Sequence, residues 1–193
     1  MNFETFLFHP QIAAGIAAAG YSTPTPIQTQ AIPKVMQGCD LMGLAQTGTG
    51  KTAVFALPIL NRLLYGQRGR VRALIIAPTR ELAEQIHQAI EILGSKTGLR
   101  SVTVYGGVGI QRQVQLLKSA DIVVACPGRL LDHLSQDCRS FPSGSACARR
   151  SRPYVRYGFF AGYSPDINPP AAIGSTDLAV FGHHAQSNSS TGW

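Results

Sequence analysis

The stretch Ala45-Gln46-Thr47-Gly48-Thr49-Gly50-Lys51-Thr52 separates an apolar run, Asp40 to Leu44, from a helix-compatible run, Ala53 to Leu64. Gly48 and Gly50 carry no Cβ, so the backbone can bend until successive N–H groups face one concavity and bind phosphate oxygens. The positive end of the following helix reinforces such a site. Lys51 is then placed to reach the outer phosphates, and the Thr52 hydroxyl to ligate a magnesium ion bridging them. This is the spacing of a P-loop, with Ala45 where the general pattern has glycine. A Gly/Thr-rich turn that binds nothing is the competing reading, and the strand-loop-helix context weighs against it.

A chain of 193 residues has the length of one ordinary domain and can bury a core. The hydrophobic share of 45% is that of a globular protein, and the purely apolar runs are too short for a bilayer-spanning helix. The first basic residue is Lys34, so the N-terminus shows neither the basic start of a secretory signal nor the arginines of a transit peptide. A cytoplasmic location is expected. Cys39, Cys126, Cys138 and Cys147 are irregularly spaced without a Cys-x-x-Cys pair, which predicts free thiols rather than disulfides or a zinc site. The formal charge of +7 suits a polyanionic partner.

Upstream of the glycine-rich loop, Pro10 opens a short helix carrying Ile12, Ala13, Ile16, Ala17 and Ala19, which Gly20 caps. In Gly20-Tyr21-Ser22-Thr23-Pro24-Thr25-Pro26-Ile27-Gln28 the two prolines are expected to forbid helix and hold the chain extended. Such a segment can hold Tyr21 against a base, while the Gln28 amide donates and accepts together, matching the N6/N7 edge of adenine. Taken by itself, such a segment is more often a packed loop than a base reader.

Phe3, then Gly20-Tyr21-x-x-Pro24-Thr25-Pro26-Ile27-Gln28, then Ala45 to Thr52, together resemble the Q motif and motif I of DEAD-box RNA helicases, especially bacterial ones. The resemblance implies ATP and Mg2+ as cofactors, RNA as partner, and a RecA-like α/β domain. It assigns Gln28 to the adenine edge, Tyr21 to stacking and Phe3 to bracing the motif. Ala45, Gln46, Thr47, Gly48, Thr49, Gly50, Lys51 and Thr52 hold the phosphates, Lys51 and Thr52 being the catalytic pair and Thr52 the metal ligand.

Beyond the loop, Phe55, Leu57, Ile59, Leu60, Leu63 and Leu64 are too densely apolar for a surface helix, and Pro58 is expected to kink it. Arg68, Arg70 and Arg72 read first as a solvated connection and only second as an RNA contact. Ala73 to Ala77 suits a strand buried on both faces. Pro78-Thr79-Arg80-Glu81-Leu82-Ala83 ends it and opens a helix, with Thr79 as N-cap and Leu82, Ile86, Ile90 and Leu93 on the core face. Arg100 to Tyr105 is a third strand, followed by Gly106-Gly107. Ile110 to Lys118 is a helix, and Asp121 to Ala125 a fourth strand, followed by Cys126-Pro127-Gly128-Arg129.

Pro78 to Ala83 is similar to the family's motif Ia, Gly106-Gly107 to its glycine pair, and Cys126 to Arg129 to motif Ib, with Cys126 where the family usually has Thr. The resemblance places Pro78, Thr79, Arg80, Gly106, Gly107, Pro127, Gly128 and Arg129 along RNA. Backbone amides at a helix start beside the Arg80 guanidinium are also a phosphate site on physical grounds. Alternating strands and helices imply a mostly parallel sheet covered on both faces, with ligands at the carboxyl ends of the strands.

Past Gln136 the pattern stops. The 57 residues 137–193 contain no Lys and no Glu, and Ser, Gly, Ala and Pro supply 27 of them, so neither helical nor alternating periodicity persists. The family would have a strand ending in Asp-Glu-Ala-Asp there, then Ser-Ala-Thr. Neither motif is present, and Asp137, Asp166 and Asp177 do not follow hydrophobic strands. The expected organisation is therefore a partial RecA-like ATP-binding domain over 1–136, with the Q motif in 3–28 and the P-loop in 45–52, and an irregular non-family tail over 137–193. Loss of the coding frame near residue 137 explains the tail. Its rival is a genuine tail in which Arg149, Arg150, Arg152 and Arg156 beside Tyr154 and Tyr157 bind RNA loosely.

Two functional readings follow: a portion of an ATP-dependent RNA helicase, or a non-enzymatic nucleotide- or RNA-binding remnant. A different P-loop ATPase is disfavoured by the Q motif. Without the acids that hold magnesium and position water, the chain as written is expected neither to hydrolyse ATP efficiently nor to unwind RNA.

Overall fold

The computed structural model describes residues 2–45, 48–136, 155–158 and 179–183. A short 3-10 turn, Phe3–Phe6, buries Phe3 and Phe6 and precedes α1, Pro10–Ala18. Pro10 occupies the first turn of α1, where its missing N–H costs nothing. Gly20, at φ +74°, ends the helix, and the N–H groups of Gly20 and Tyr21 donate to Ala17 O and Ile16 O. The glycine cap expected from the sequence is present.

The extended reading of Pro24 to Gln28 needs correction, because α2 spans Pro26–Met36 and starts inside that segment. Pro26 is tolerated at the first helical position, and Thr25 is the extended N-cap before it. The Thr25 N–H, which would otherwise be orphaned at the helix start, donates to Gln28 Oε1 at 2.9 Å. Two prolines two residues apart therefore define a helix entrance, with Thr25 held extended before Pro26.

The strands expected up to residue 125 are present within a residue or so of their expected bounds: β1 Leu41–Ala45, β2 Ala73–Ile76, β3 Ser101–Val104 and β4 Ile122–Ala125. They alternate with α3 Lys51–Leu63, α4 Arg80–Leu93 and α5 Ile110–Leu117. α3 continues through Pro58 and buries every residue from Ala53 to Leu60. That agrees with a helix apolar all round being an interior one. In β2, Ala73 and Ile75 are buried while Leu74 and Ile76 are half-buried, whereas all four residues of β4 are buried. The Pro127-Gly128-Arg129 segment, expected as a turn, is the opening of α6, Pro127–Gln136.

Within residues 137–193, where no strand was expected, the chain forms β5 Val155–Gly158 and β6 Ala179–His183. The sheet is parallel throughout, in the order β1-β6-β5-β2-β4-β3. β6 pairs along β1 from Leu41↔Ala179 to Ala45↔His183, and β5 pairs along β2 from Ala73↔Val155 to Ile76↔Gly158. Among the described residues the two tail strands pair with each other at Gly158↔Val180. They occupy the sheet interior, so the inner edges of β1 and β2 are covered. The alternative of a loose RNA-binding run at Arg149, Arg150 and Arg152 falls outside the described residues.

The main core lies between α1, α3, α4 and one sheet face, with Ile12, Phe55, Leu57, Ile75, Ile86 and Ile122 fully buried. A second cluster on the other face contains Val104, Leu117, Val123 and Leu130. At the amino ends of the strands, Arg72 departs from the solvated role expected of it. Its guanidinium donates to Leu63 O at 2.7 Å and Tyr65 O at 3.1 Å, and lies 3.4 Å from Asp121 Oδ1. Buried Asp121 also accepts from Gly69 N at 3.2 Å and Arg100 N at 3.1 Å, tying together the segments that enter β2, β3 and β4.

Candidate functional site

The carboxyl ends of β1, β2, β3 and β4 carry the motifs from Ala45 onward, and the N-terminal motif precedes β1. After β1, Gly48 and Gly50 adopt φ +82° and +83°, the left-handed region in which side chains are strained. Gly50 is the N-cap of α3, so Lys51 and Thr52 form its first turn, where unpaired N–H groups gather at the positive helix end. Partial burial lowers the pKa of the Lys51 ammonium. Gln46 and Thr47 lie outside the described residues.

The N-terminal motif is bonded to this loop. Gln28 Nε2 donates to Gly50 O at 3.1 Å and Thr25 Oγ donates to Thr49 O at 2.9 Å. Gln28 is 1% exposed, so its amide faces the phosphate loop rather than solvent. Among the described residues these bonds use one Gln28 amide hydrogen and one carbonyl lone pair, leaving one donor hydrogen and one lone pair. A Cβ at Gly50 would lie 2.3 Å from Gln28 Nε2, so glycine there is required by packing as well as by φ. The rings of Phe3 and Tyr21 meet edge to face with centroids 6.0 Å apart. Phe3 is buried and Tyr21 is 38% exposed, which leaves part of the tyrosine ring open to a ligand.

The loop fits a nucleotide triphosphate with magnesium: two glycines hold the backbone in left-handed turns, a Cβ at Gly48 would meet nothing within 4 Å, and Lys51 and Thr52 begin a helix. A hard cation requires oxygen ligands, which the Thr52 hydroxyl and phosphate oxygens would provide.

The second group of residues follows β2, β4 and β3, which are adjacent in the sheet. Thr79 caps α4 by accepting from Leu82 N at 3.3 Å, as its position in the sequence predicts. The Arg80 guanidinium carbon stands 4.7 Å over the Tyr105 ring. Gly107 has φ +83°, and Gly106 and Gly107 follow Tyr105 into the turn that leads to α5. Pro127 and Gly128 are exposed at the start of α6. Cys126, just before them, has its thiol pKa raised by burial and by the nearby Glu81 carboxylate.

Arg129 does not reach outward. Its Nη1 donates to Val108 O at 2.7 Å and to Gln113 Oε1 at 3.3 Å, and its Nε lies 3.3 Å from Asp132. Gln113 and His133, both buried, complete this network and were not singled out from the sequence. A polar residue on an apolar helical stripe was the available signal: Gln113 stands with Ile110 and Leu117 at helical spacing, and His133 with Leu130.

A family profile described as DEAD/DEAH box helicase matches residues 25–145. The chain is 49% identical over 137 residues to the ATP-dependent rRNA helicase RRP3 of Saccharomyces cerevisiae, covering 69% of this chain and 27% of that protein. It is 44% identical over 143 residues to the ATP-dependent RNA helicase RhlB of Xanthomonas campestris, covering 70% of this chain and 25% of that protein. The chain thus spans about a quarter of the length of these curated relatives. Among solved structures, it resembles a DEAD box protein from the hyperthermophile Methanococcus jannaschii with a TM-score of 0.73 and 26% identity, over 96% of this chain and 50% of that one.

Proposed function

The chain belongs to the DEAD/DEAH box helicase family, and from that membership we propose that residues 1–136 are the ATP-binding part, and a portion of the RNA-binding part, of an ATP-dependent RNA helicase. The full-length activity is ATP-driven unwinding or remodelling of RNA duplexes. The bond from Gln28 to the Gly50 carbonyl carries this reading, because it joins the adenine-reading amide to the phosphate loop.

Adenine takes the remaining donor and acceptor of Gln28 and stacks on Tyr21, which Phe3 braces. Backbone N–H groups from Ala45 to Thr52 surround the phosphates, and Lys51 pairs with the outer ones. Magnesium, held by Thr52 and the nucleotide, supplies charge neutralisation at the phosphates. Pro78, Thr79, Arg80, Gly106, Gly107, Pro127 and Gly128 line the RNA backbone through helix-start N–H groups and the Arg80 charge. Arg129 contributes by holding the adjoining turn at Val108.

Residues 137–193 are best explained by a lost reading frame, and the sequence supports this more specifically than its composition does. Ala148-Arg149-Arg150-Ser151-Arg152-Pro153 can be encoded as GCT-CGA-CGA-AGC-CGA-CC, which read from the second base gives Leu-Asp-Glu-Ala-Asp. Asp177 to His183 can be encoded as GAC-CTT-GCT-GTT-TTC-GGC-CAC, followed by the C that opens His184. From the second base this gives Thr-Leu-Leu-Phe-Ser-Ala-Thr. Both family motifs return in their expected order and with the same offset. Translated as written, these 193 residues supply Lys51 and Thr52 without the acids that hold magnesium and water, so they bind ATP and RNA but do not turn over efficiently.

Sequencing the DNA from codon 137 tests the frame, and RNA-stimulated phosphate release tests the chemistry. The chain as written is expected to release little phosphate, and a frame-restored full-length protein to release it in response to RNA. Family-like turnover by the chain as written contradicts the predicted inactivity, and failure of the restored protein to respond to RNA contradicts the helicase reading.

A further inference from the structure

Beyond the last backbone bonds between these neighbouring strands, Ala77 N to Ala125 O and Cys126 N to Val104 O, come the segments that follow β2, β3 and β4. One side chain bridges them. Gln113, on α5 and buried, donates from Nε2 to Tyr105 O at 2.8 Å. A carbonyl only accepts, so the Gln113 amide nitrogen must face Tyr105 and its oxygen must face the other way. That oxygen receives Arg129 Nη1 at 3.3 Å and lies 2.9 Å from His133 Nε2, both from α6. His133 therefore carries its proton on Nε2. The chain of contacts continues through the Tyr105 ring to Arg80.

We propose that Gln113 is a positioning residue for RNA binding: it sets the turns after β2, β3 and β4 as one surface by holding the Tyr105 carbonyl and gathering His133 and Arg129 from α6. The role rests on the proposed RNA contact of those turns. Phosphates along a strand are evenly spaced, so several weak N–H and guanidinium contacts add only when their donors keep register. Deleting the Gln113 amide leaves the partly buried Tyr105 carbonyl, the buried His133 imidazole N–H and the Arg129 guanidinium each with one fewer partner. The segment from Tyr105 to Val108 then loses its tie at Tyr105 and keeps only the Arg129 bond at Val108, while the phosphate loop, at the opposite edge of the sheet, is untouched.

Gln113→Leu and Gln113→Glu in the full 193-residue chain test this, using a fluorescein-labelled single-stranded oligouridine RNA and a fluorescent ATP analogue as probes. Gln113→Leu is expected to weaken RNA binding about tenfold and to leave ATP-analogue affinity unchanged. Its logarithmic salt slope should be shallower by about 0.7 for each phosphate that the protein no longer neutralises. Gln113→Glu keeps the acceptor for His133 and Arg129 but loses the donor to Tyr105, so its RNA affinity is expected to lie between parent and Gln113→Leu. If Gln113→Leu does not fold, the RNA-only loss in Gln113→Glu carries the test. Unchanged RNA affinity in the folded variants, or RNA and ATP-analogue binding falling together, overturns the positioning role. A parent chain that binds the ATP analogue but no RNA overturns the RNA reading itself and this role with it.

Discussion

Gln28 and Gly50 are held together from both sides: the amide nitrogen of one donates to the carbonyl of the other at 3.1 Å, and the space a Cβ would need at Gly50 is filled by that same nitrogen. Neither residue can change without moving the other. Their contact joins a helix entrance early in the chain to the loop that the whole sheet presents at its edge.

Gly50→Ala is expected to fail on two counts. A residue with a Cβ at φ +83° costs about 1–2 kcal/mol, and the methyl displaces Gln28. ATP-analogue affinity should drop by about tenfold or more. Gln28→Glu, which sets a carboxylate against the Gly50 carbonyl, should weaken ATP and also reduce its advantage over GTP. Competition titrations with both nucleotides check this, and GTP competing as well as ATP against the parent protein removes the adenine-reading role of Gln28.

Asp121→Ala should be among the most destabilising single changes. It strands the Gly69 and Arg100 amides and leaves the Arg72 charge partly buried without its acid. Losing one partner of such a pair costs about 3–5 kcal/mol. Asp121→Asn keeps one carbonyl acceptor and should lose less. Urea denaturation followed by circular dichroism gives the two midpoints, and an unshifted midpoint for Asp121→Ala removes the brace from the account.

Gly15→Ala tests the contact between α1 and α4. Alanine normally improves a helix by about 1 kcal/mol over glycine, but here the new Cβ would sit 2.0 Å from Leu93 O. The backbone carbonyl cannot swing aside as a flexible side chain does. Overpacking of this kind costs about 1–3 kcal/mol, so a lower thermal midpoint is expected. A higher one means that the two helices separate at little cost.

Acid should destabilise the second network through His133. Burial and the Arg129 charge lower its pKa below 6.5, while Asp132 opposes them. The unfolded chain then binds the proton more readily than the folded one. Stability contributed by neutral His133 is complete above the unfolded value and is lost as pH falls below about 6.5 toward the lowered folded value. His133→Gln, which keeps a donor without titrating, should flatten that part of the profile. Urea midpoints measured from pH 7.5 down to about 5 provide the comparison.

The sequence alone determined the alternation of strands and helices from β1 to β4, because β2, β4 and α3 are buried enough to be continuously apolar and the glycines of the loop answer to backbone geometry. It also determined the family, since the motif residues are separated by distances along the chain. Its reading erred at Pro26, where proline both forbids a helix interior and favours a helix start, and only the cap made by Thr25 and Gln28 decides between them. The partners of Gln113, His133, Arg72 and Arg129 were decided only by tertiary structure. A polar side chain far along the chain takes its meaning from the carbonyl or carboxylate that folding brings to it, and here these partners come from other elements of the fold.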